Sequence, residues 1–267
     1  MSQKSSVPQA VSFVSQVLKR DTGWGHYEAL GLQRWFADAT APAVNGVAIP
    51  TGSWSQRTTF GWGVGGNALL LVWPTFVDLQ GSILYGQGIG RYASSQLADV
   101  VVGPTGNLQP LTTLQFMVGA VVHPSWWWQG TDIYAYYGQE QTQANAWTVS
   151  PPTTQGGWGN SAFASSCGLV NSELTNNNGG TGTNFNINST ICTANVQRVR
   201  EITVGFWQDI YKGDLGRARV GLQYEYVMQD LFPGSVVTNA TTNPLPNSGL
   251  HPNNNIVFLS LRYYPFN

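Results

Sequence analysis

The sequence predicts an all-β fold: an antiparallel transmembrane β-barrel, or the C-terminal 8–9 strands of a larger one, with short turns at one end and long loops at the other. Three observations predict it. Stretches of about a dozen residues alternate apolar with polar side chains, the period of a strand with one apolar face. The connections between them alternate strictly between short and long. Only 9% of the 267 residues are charged, against roughly 25% in ordinary soluble domains. Mean hydropathy is nevertheless −0.13, as expected of a chain with apolar faces but no apolar blocks. The longest apolar run, Ala68 to Trp73, falls far short of the roughly 20 residues of a membrane helix.

The first stretch, 9–20, sets Val11, Phe13 and Val17 against Ser12, Val14 and Gln16. After the turn at 21–25, residues 26–38 form a strand of poor register, because Glu28 and Arg34 share parity with Leu30, Leu32 and Phe36; a bulge or a short helix explains this equally well. A loop at 39–56 precedes 57–72, with Phe60, Trp62, Val64, Ala68 and Leu70 on one face and Gly61, Gly63, Gly65 and Asn67 on the other. Residues 76–87 oppose Val77, Leu79, Ile83 and Tyr85 to Asp78, Gln80 and Ser82. Residues 111–122 place Leu114, Phe116, Val118, Ala120 and Val122 against Thr113, Gln115, Met117 and Gly119. Residues 130–140 set Ile133, Ala135 and Tyr137 against Asp132, Tyr134, Tyr136 and Glu140.

The clearest pattern lies in 196–228, two strands joined at Lys212-Gly213-Asp214. Ile202, Val204 and Phe206 form one apolar row, and Ala218, Val220, Leu222, Tyr224 and Tyr226 the other. Pairing about Gly213 sets Asp209 opposite Arg217, Trp207 opposite Arg219 and Glu201 opposite Glu225, the last a repulsive pair. The final strand, 255–264, alternates Val257, Leu259, Leu261 and Tyr263 with Phe258, Ser260, Arg262 and Tyr264.

Turns near 21–25, 73–75, 123–125 and 212–214 interleave with loops at 39–56, 88–110, 141–195 and 229–253. Such segregation of loop length is the habit of bacterial outer-membrane barrels, which turn tightly on the periplasmic side. Aromatics at the short turns (Trp24, Tyr27, Trp73, Phe76, Trp126–Trp128, Tyr211, Tyr263, Tyr264, Phe266) then supply the interfacial girdle. Residues 1–267 read as one barrel domain, with 141–195 as a long external loop. Nine strands is an odd count, and residues 7–18 make no signal peptide, so the expectation is a chain beginning inside a longer barrel. The alternative is eight strands closing without 9–20.

Charges avoid a lipid-facing wall, so the inward polar residues are the candidate lining of a pore: Asp78, Gln80, Asp132, Glu201, Asp209, Arg217, Arg219, Gln223, Glu225 and Arg262. Opposed acidic and basic clusters set a transverse field that selects solutes, and equally tie the wall together by ion pairs. The glycine-rich stretch Gly86-Gln-Gly-Ile-Gly-Arg91 lacks dinucleotide spacing; a loop entering the lumen with Arg91 at a constriction fits it better, beside an external-loop reading. Cys167 and Cys192 lack further zinc-ligand partners and are expected to pair in a disulfide worth about 3 kcal/mol. No metal or cofactor is expected. His26, His123 and His251 sit apart from any serine and acid spaced for hydrolysis, so no enzyme is expected. A net charge of −1 speaks against nucleic acid.

Several segments resemble an uncharacterised porin-like family of outer-membrane proteins of Gram-negative bacteria. They are Gly23-Trp-Gly-His-Tyr-Glu28, Gly86–Tyr92 with Ser94–Leu97, Val122-His-Pro124, Ile133–Gly138, Gly205-Phe-Trp207 with Tyr211-Lys-Gly213, and Arg262–Phe266. The resemblance spans nearly the whole chain and implies the C-terminal part of an exported barrel. The expected function is passive diffusion of small polar solutes through the outer membrane, with lipid as the surrounding partner and homo-oligomers compatible with it. The rivals are a non-conducting structural or receptor-like barrel and, from the Trp content alone, a secreted carbohydrate-binding β protein.

Overall fold

The computed structural model describes residues 9–40, 43–44, 47–48, 55–124, 129–149, 154–160, 195–233 and 251–265. Among them, nine strands form one antiparallel sheet in which each pairs with its neighbours along the chain. These are β1 (Gln9–Thr22), β2 (Gly25–Thr40), β3 (Ser55–Trp73), β4 (Val77–Gln87), β5 (Thr112–Val122), β6 (Thr131–Thr142), β7 (Val196–Gly213), β8 (Gly216–Leu231) and β9 (Asn253–Tyr264). The edge strands β1 and β9 are each paired on one side among the described residues. Three short ribbons decorate the long connections: Ala43–Val44 with Val47–Ala48, Val100–Val102 with Leu108–Pro110, and Asn145–Val149 with Thr154–Trp158.

Short turns are made by residues suited to them. Thr22 pairs with Gly25 and its hydroxyl donates to the Gly25 carbonyl at 2.9 Å, closing the first hairpin. Pro74 sets the second turn, with Phe76 N–H on the Trp73 carbonyl at 2.8 Å. Between β7 and β8, Gly213 pairs with Gly216, so the hairpin turns on Asp214-Leu215.

That placement corrects the register expected from the sequence. A bulge between Asp209 and Tyr211 shifts the ladder: Asp209 faces Arg219 and Lys212 faces Arg217. Trp207 lies opposite Gly221, and Glu201 opposite Val227, while Thr203 takes the place opposite Glu225. The expected carboxylate repulsion is therefore relieved by two residues of slip. In β1 a bulge between Val14 and Gln16 likewise breaks the single alternation expected over 9–20: Val11 and Phe13 register with Trp35 and Gln33, but Val17 with Leu30.

The two faces of the sheet are packed in the inverse of a soluble protein. The apolar rows stand open: Val118 is 52%, Val257 66% and Leu259 77% exposed, and Phe60, Val64, Ile83, Ile133, Val204 and Leu222 are also exposed. The core lies on the polar face, where residues 88–111 fold back across the sheet. Ile89, Leu97, Leu108 and Leu111 of this segment are buried together with Leu32 and Phe36 of β2. This explains the poor register of 26–38. The segment is a plain strand, and its even face mixes Leu32 and Phe36 with Arg34 because that face meets a folded loop. Gly63 on β3 makes the contact possible: a Cβ there would lie 3.1 Å from Ile89 Cγ2.

At the short-turn end, Trp24, Trp73, Tyr211 and Tyr263 are exposed. Trp126–Trp128, Phe266, Cys167 and Cys192 lie outside the described residues.

Candidate functional site

Alternation places one side chain in two from every strand on the polar face, and cross-strand register brings them into three groups. The first lies at the short-turn end. His123, just past β5, contacts Asp132 of β6 through Nδ1 at 2.7 Å and Asp78 of β4 through Nε2 at 3.2 Å. Asp132 also binds the Arg219 guanidinium of β8. Asp209 accepts from Arg217 Nε at 2.8 Å, and Arg217 Nη2 meets its second oxygen at 2.8 Å, a two-point pair. Arg219 Nε lies 2.8 Å from Asp209 without hydrogen-bond alignment, an ionic contact only. Arg262 of β9 stacks 4.1 Å over the Trp207 ring, and Arg219 lies 5.9 Å from the same ring. Acidic and basic residues from five strands, with His123 just past a sixth, thus form one connected patch.

Burial opposes charge on His123, but the hydrogen bonds to Asp132 and Asp78 outweigh it and raise its pKa above the usual imidazole value of 6.5. A raised folded-state pKa means that the contribution is fully present below about pH 6.5 and is lost as pH rises through the folded value. The expected result is a wild-type stability advantage over His123→Gln in the acid range that fades toward pH 8. Urea midpoints measured across that range check it; a constant difference refutes the bridge.

The second group is a polar belt at mid-height. The Tyr136 hydroxyl donates to Gln80 Oε1 at 3.0 Å, and the Tyr134 hydroxyl to Gln223 Oε1 at 2.6 Å. Each reaches over an intervening strand. Gln223 in turn donates to Glu225. Tyr136 lies flat because its register partner is Gly119, where a Cβ would collide with the ring at 2.0 Å. These rings line the wall instead of filling the space above it.

The third group is the folded segment 88–111 with its anchors. Arg34, inside the wall, donates to the Gly88 carbonyl and pairs with Asp99 at 2.9 Å, both side chains under a tenth exposed. Its guanidinium also lies 4.7 Å from the Phe36 ring and 5.2 Å from the Tyr92 ring. Asp99 accepts the Arg91 N–H at 2.9 Å, which fixes the short 3₁₀ turn Gly90–Tyr92. The Arg91 side chain itself is 75% exposed, with Nε 3.6 Å from Asp99. On the far side, Ser95 N–H donates to Glu140 Oε2 at 3.0 Å, and Gln115 donates to the Ile89 carbonyl at 3.0 Å.

Between this segment and the wall is a cavity of about 660 Å³, bordered by Tyr92, Ser95, Met117, Tyr136, Glu140 and Glu201. It is large enough for a small solute. Its two carboxylates come from β6 and β7; Glu201 accepts from the Thr203 hydroxyl.

All ten wall residues expected from the sequence lie on this one face. Asp78, Asp132, Asp209, Arg217, Arg219 and Arg262 gather at the short-turn end, Gln80, Gln223 and Glu225 at mid-height, and Glu201 at the cavity. Arg34, Asp99, His123 and Glu140 were not legible as site residues, although the odd parity of Arg34 among Leu32 and Phe36 was a signal. Among the described residues, no group of His, Cys, Asp and Glu is arranged to hold a metal ion. Comparison with protein families, with curated proteins and with solved structures finds no match to this chain.

Proposed function

We propose that the protein is an outer-membrane channel of porin type, in which the nine strands form a sector of a closed barrel and small polar solutes diffuse along the polar face. The observation that carries this reading is the inverse packing: the apolar face is the open one, and the polar face holds the folded loop. Monomeric soluble proteins rarely leave so large an apolar surface uncovered. On β8 the apolar row runs from Ala218 to Tyr226, about 26 Å along the strand at about 3.3 Å per residue. Outer-membrane barrels present an apolar band about 25 Å tall.

A bilayer offers no hydrogen bonds to an open sheet edge, so in lipid β1 and β9 must both be covered. They run in the same direction, and joining them directly makes a parallel seam; an odd number of further strands between them restores antiparallel pairing throughout. In this reading segment 88–111 narrows the passage, with Arg91 on its free side. The carboxylates Glu140 and Glu201 border the passage beside the segment, and the ion-paired patch of Asp78, Asp132, Arg217, Arg219 and Arg262 lines its short-turn end, so a passing solute meets a graded field. A non-conducting barrel is the second reading, favoured by the buried Arg34–Asp99 anchor that holds the loop on the wall.

Single-channel recordings of the full-length protein separate the two; conductance no greater than the bare bilayer removes the channel. Membrane orientation has its own test. A cysteine at Val204 is expected to resist a water-soluble maleimide in proteoliposomes, and one at Gln223 to react. The reverse pattern turns the sheet inside out.

A further inference from the structure

We propose that Arg198 and Arg200 form a binding site for the phosphate of an anionic membrane lipid at the long-loop rim of the apolar face; the proposal rests on the membrane reading above. Both arginines lie on the apolar side of the sheet. Arg200 shares parity with Ile202, Val204 and Phe206, and the two register with Gln139 and Gln141 of β6. Asp230 of β8, opposite Arg198, belongs to the same row as Tyr224, Tyr226 and Met228. Arg198 and Asp230 take no part in lining the cavity, whose edge Arg200 reaches.

The cluster is built around one carboxylate. Asp230 accepts from Arg198 Nε at 2.6 Å, from Arg200 Nη2 at 3.0 Å and meets His251 Nδ1 at 2.8 Å. Its side chain is 3% exposed, whereas those of Arg198 and Arg200 are 37% and 30% exposed. Two guanidiniums against one carboxylate leave a net charge of +1. Each guanidinium has five N–H donors. Asp230 occupies few of them, and Arg200 Nε is buried without a hydrogen-bond partner among the described residues.

Position then selects the ligand. Arginine on the lipid face is costly at the midplane and nearly free of cost near the interface. The pair therefore marks the head-group level, the first polar row beyond Ile202. Planar guanidiniums bind phosphate oxygens two at a time, which lysine does not. Asp230 holds both side chains against the sheet, so little freedom is lost when a phosphate joins them.

The test uses the full chain, folded in detergent and transferred to vesicles of phosphatidylcholine, alone or mixed with phosphatidylglycerol. Each arginine at an anionic surface is worth about a fivefold change in partition. The expected result is preference for the mixed vesicles, reduced about twentyfold or more in R198Q/R200Q, with heat-modifiable gel mobility confirming that the variant is folded. Asp230→Asn removes the competing carboxylate and is expected to strengthen the preference; a purely structural ion cluster loses stability there and gains no lipid. Equal binding to both vesicles, or a preference unchanged in the double variant, overturns the site and leaves the membrane reading standing. Competition by millimolar inorganic phosphate without any lipid preference assigns a small-anion site and overturns the lipid one. A protein that stays dispersed without detergent and ignores both vesicles overturns both readings.

Discussion

Replacing Arg34 with Met is expected to free segment 88–111 from the sheet while leaving the sheet intact. The Arg34 guanidinium makes three kinds of contact at once: an ion pair with Asp99 at 2.9 Å, a hydrogen bond to the Gly88 carbonyl, and stacking on Phe36 and Tyr92. Removing one partner of a buried ion pair costs about 3–5 kcal/mol, because the other charge stays buried and unpaired. That cost is borne by the segment. Asp99 sits in the loop and escapes to water when the loop opens, whereas β2 keeps its ladders to β1 and β3. A local opening made easier by 3 kcal/mol is populated roughly a hundredfold more often. Arg91, already exposed, then becomes a trypsin site, and cleavage after it is expected to accelerate by about that factor. If the segment narrows a channel, conductance rises in the same variant. Asp99→Asn acts in the same direction, because it removes the same ion pair. An R34M/D99L chain, with both charges gone, is expected to recover part of the closure. A lowered urea midpoint without faster cleavage shows instead that the pair holds the sheet.

Much of this was legible in the sequence because a strand alternates with a period of two. Val204, Val118 and Leu259 declared one face, Asp132, Gln223 and Arg219 the other, and the loop-length alternation ordered the strands. Contacts made at a distance were not legible. Nothing local pairs Arg34 with Asp99, sixty-five positions apart in the chain, so a face carrying Leu32, Arg34 and Phe36 read as a defect. It is the mark of a face that meets a folded loop. Register failed for a related reason. The turn falls on Asp214-Leu215 instead of about Gly213, and a bulge between Asp209 and Tyr211 that the composition does not announce takes one position back, so Asp209 was set opposite Arg217 when the ladder gives Arg219. The ion pair with Arg217 survives, because a long side chain reaches its diagonal neighbour. Arg198 and Arg200 were legible and passed over: their parity with Ile202 put them on the apolar face from the start.

Neighbouring residues on β5 offer the sharpest separation of a lipid environment from a watery one. Val118 points to the open apolar side, 52% exposed, and Met117 to the cavity between the loop and the wall. Val118→Arg is expected to lower stability in vesicles by about 2–4 kcal/mol, the cost of arginine on the lipid face near the midplane. In water the same change sets a charge on an exposed surface and stays within about 0.5 kcal/mol. Met117→Arg reverses the comparison. Its guanidinium enters a cavity bordered by Glu140 and Glu201, so stability changes little and the acidic side of the passage is neutralised. In a conducting protein that shifts ion preference toward anions. Two adjacent arginines, one destabilising only in lipid and one altering only selectivity, follow from alternation alone. If Val118→Arg is tolerated in vesicles as well as in water, the apolar face does not meet lipid, and its exposure calls for a protein partner in place of a membrane.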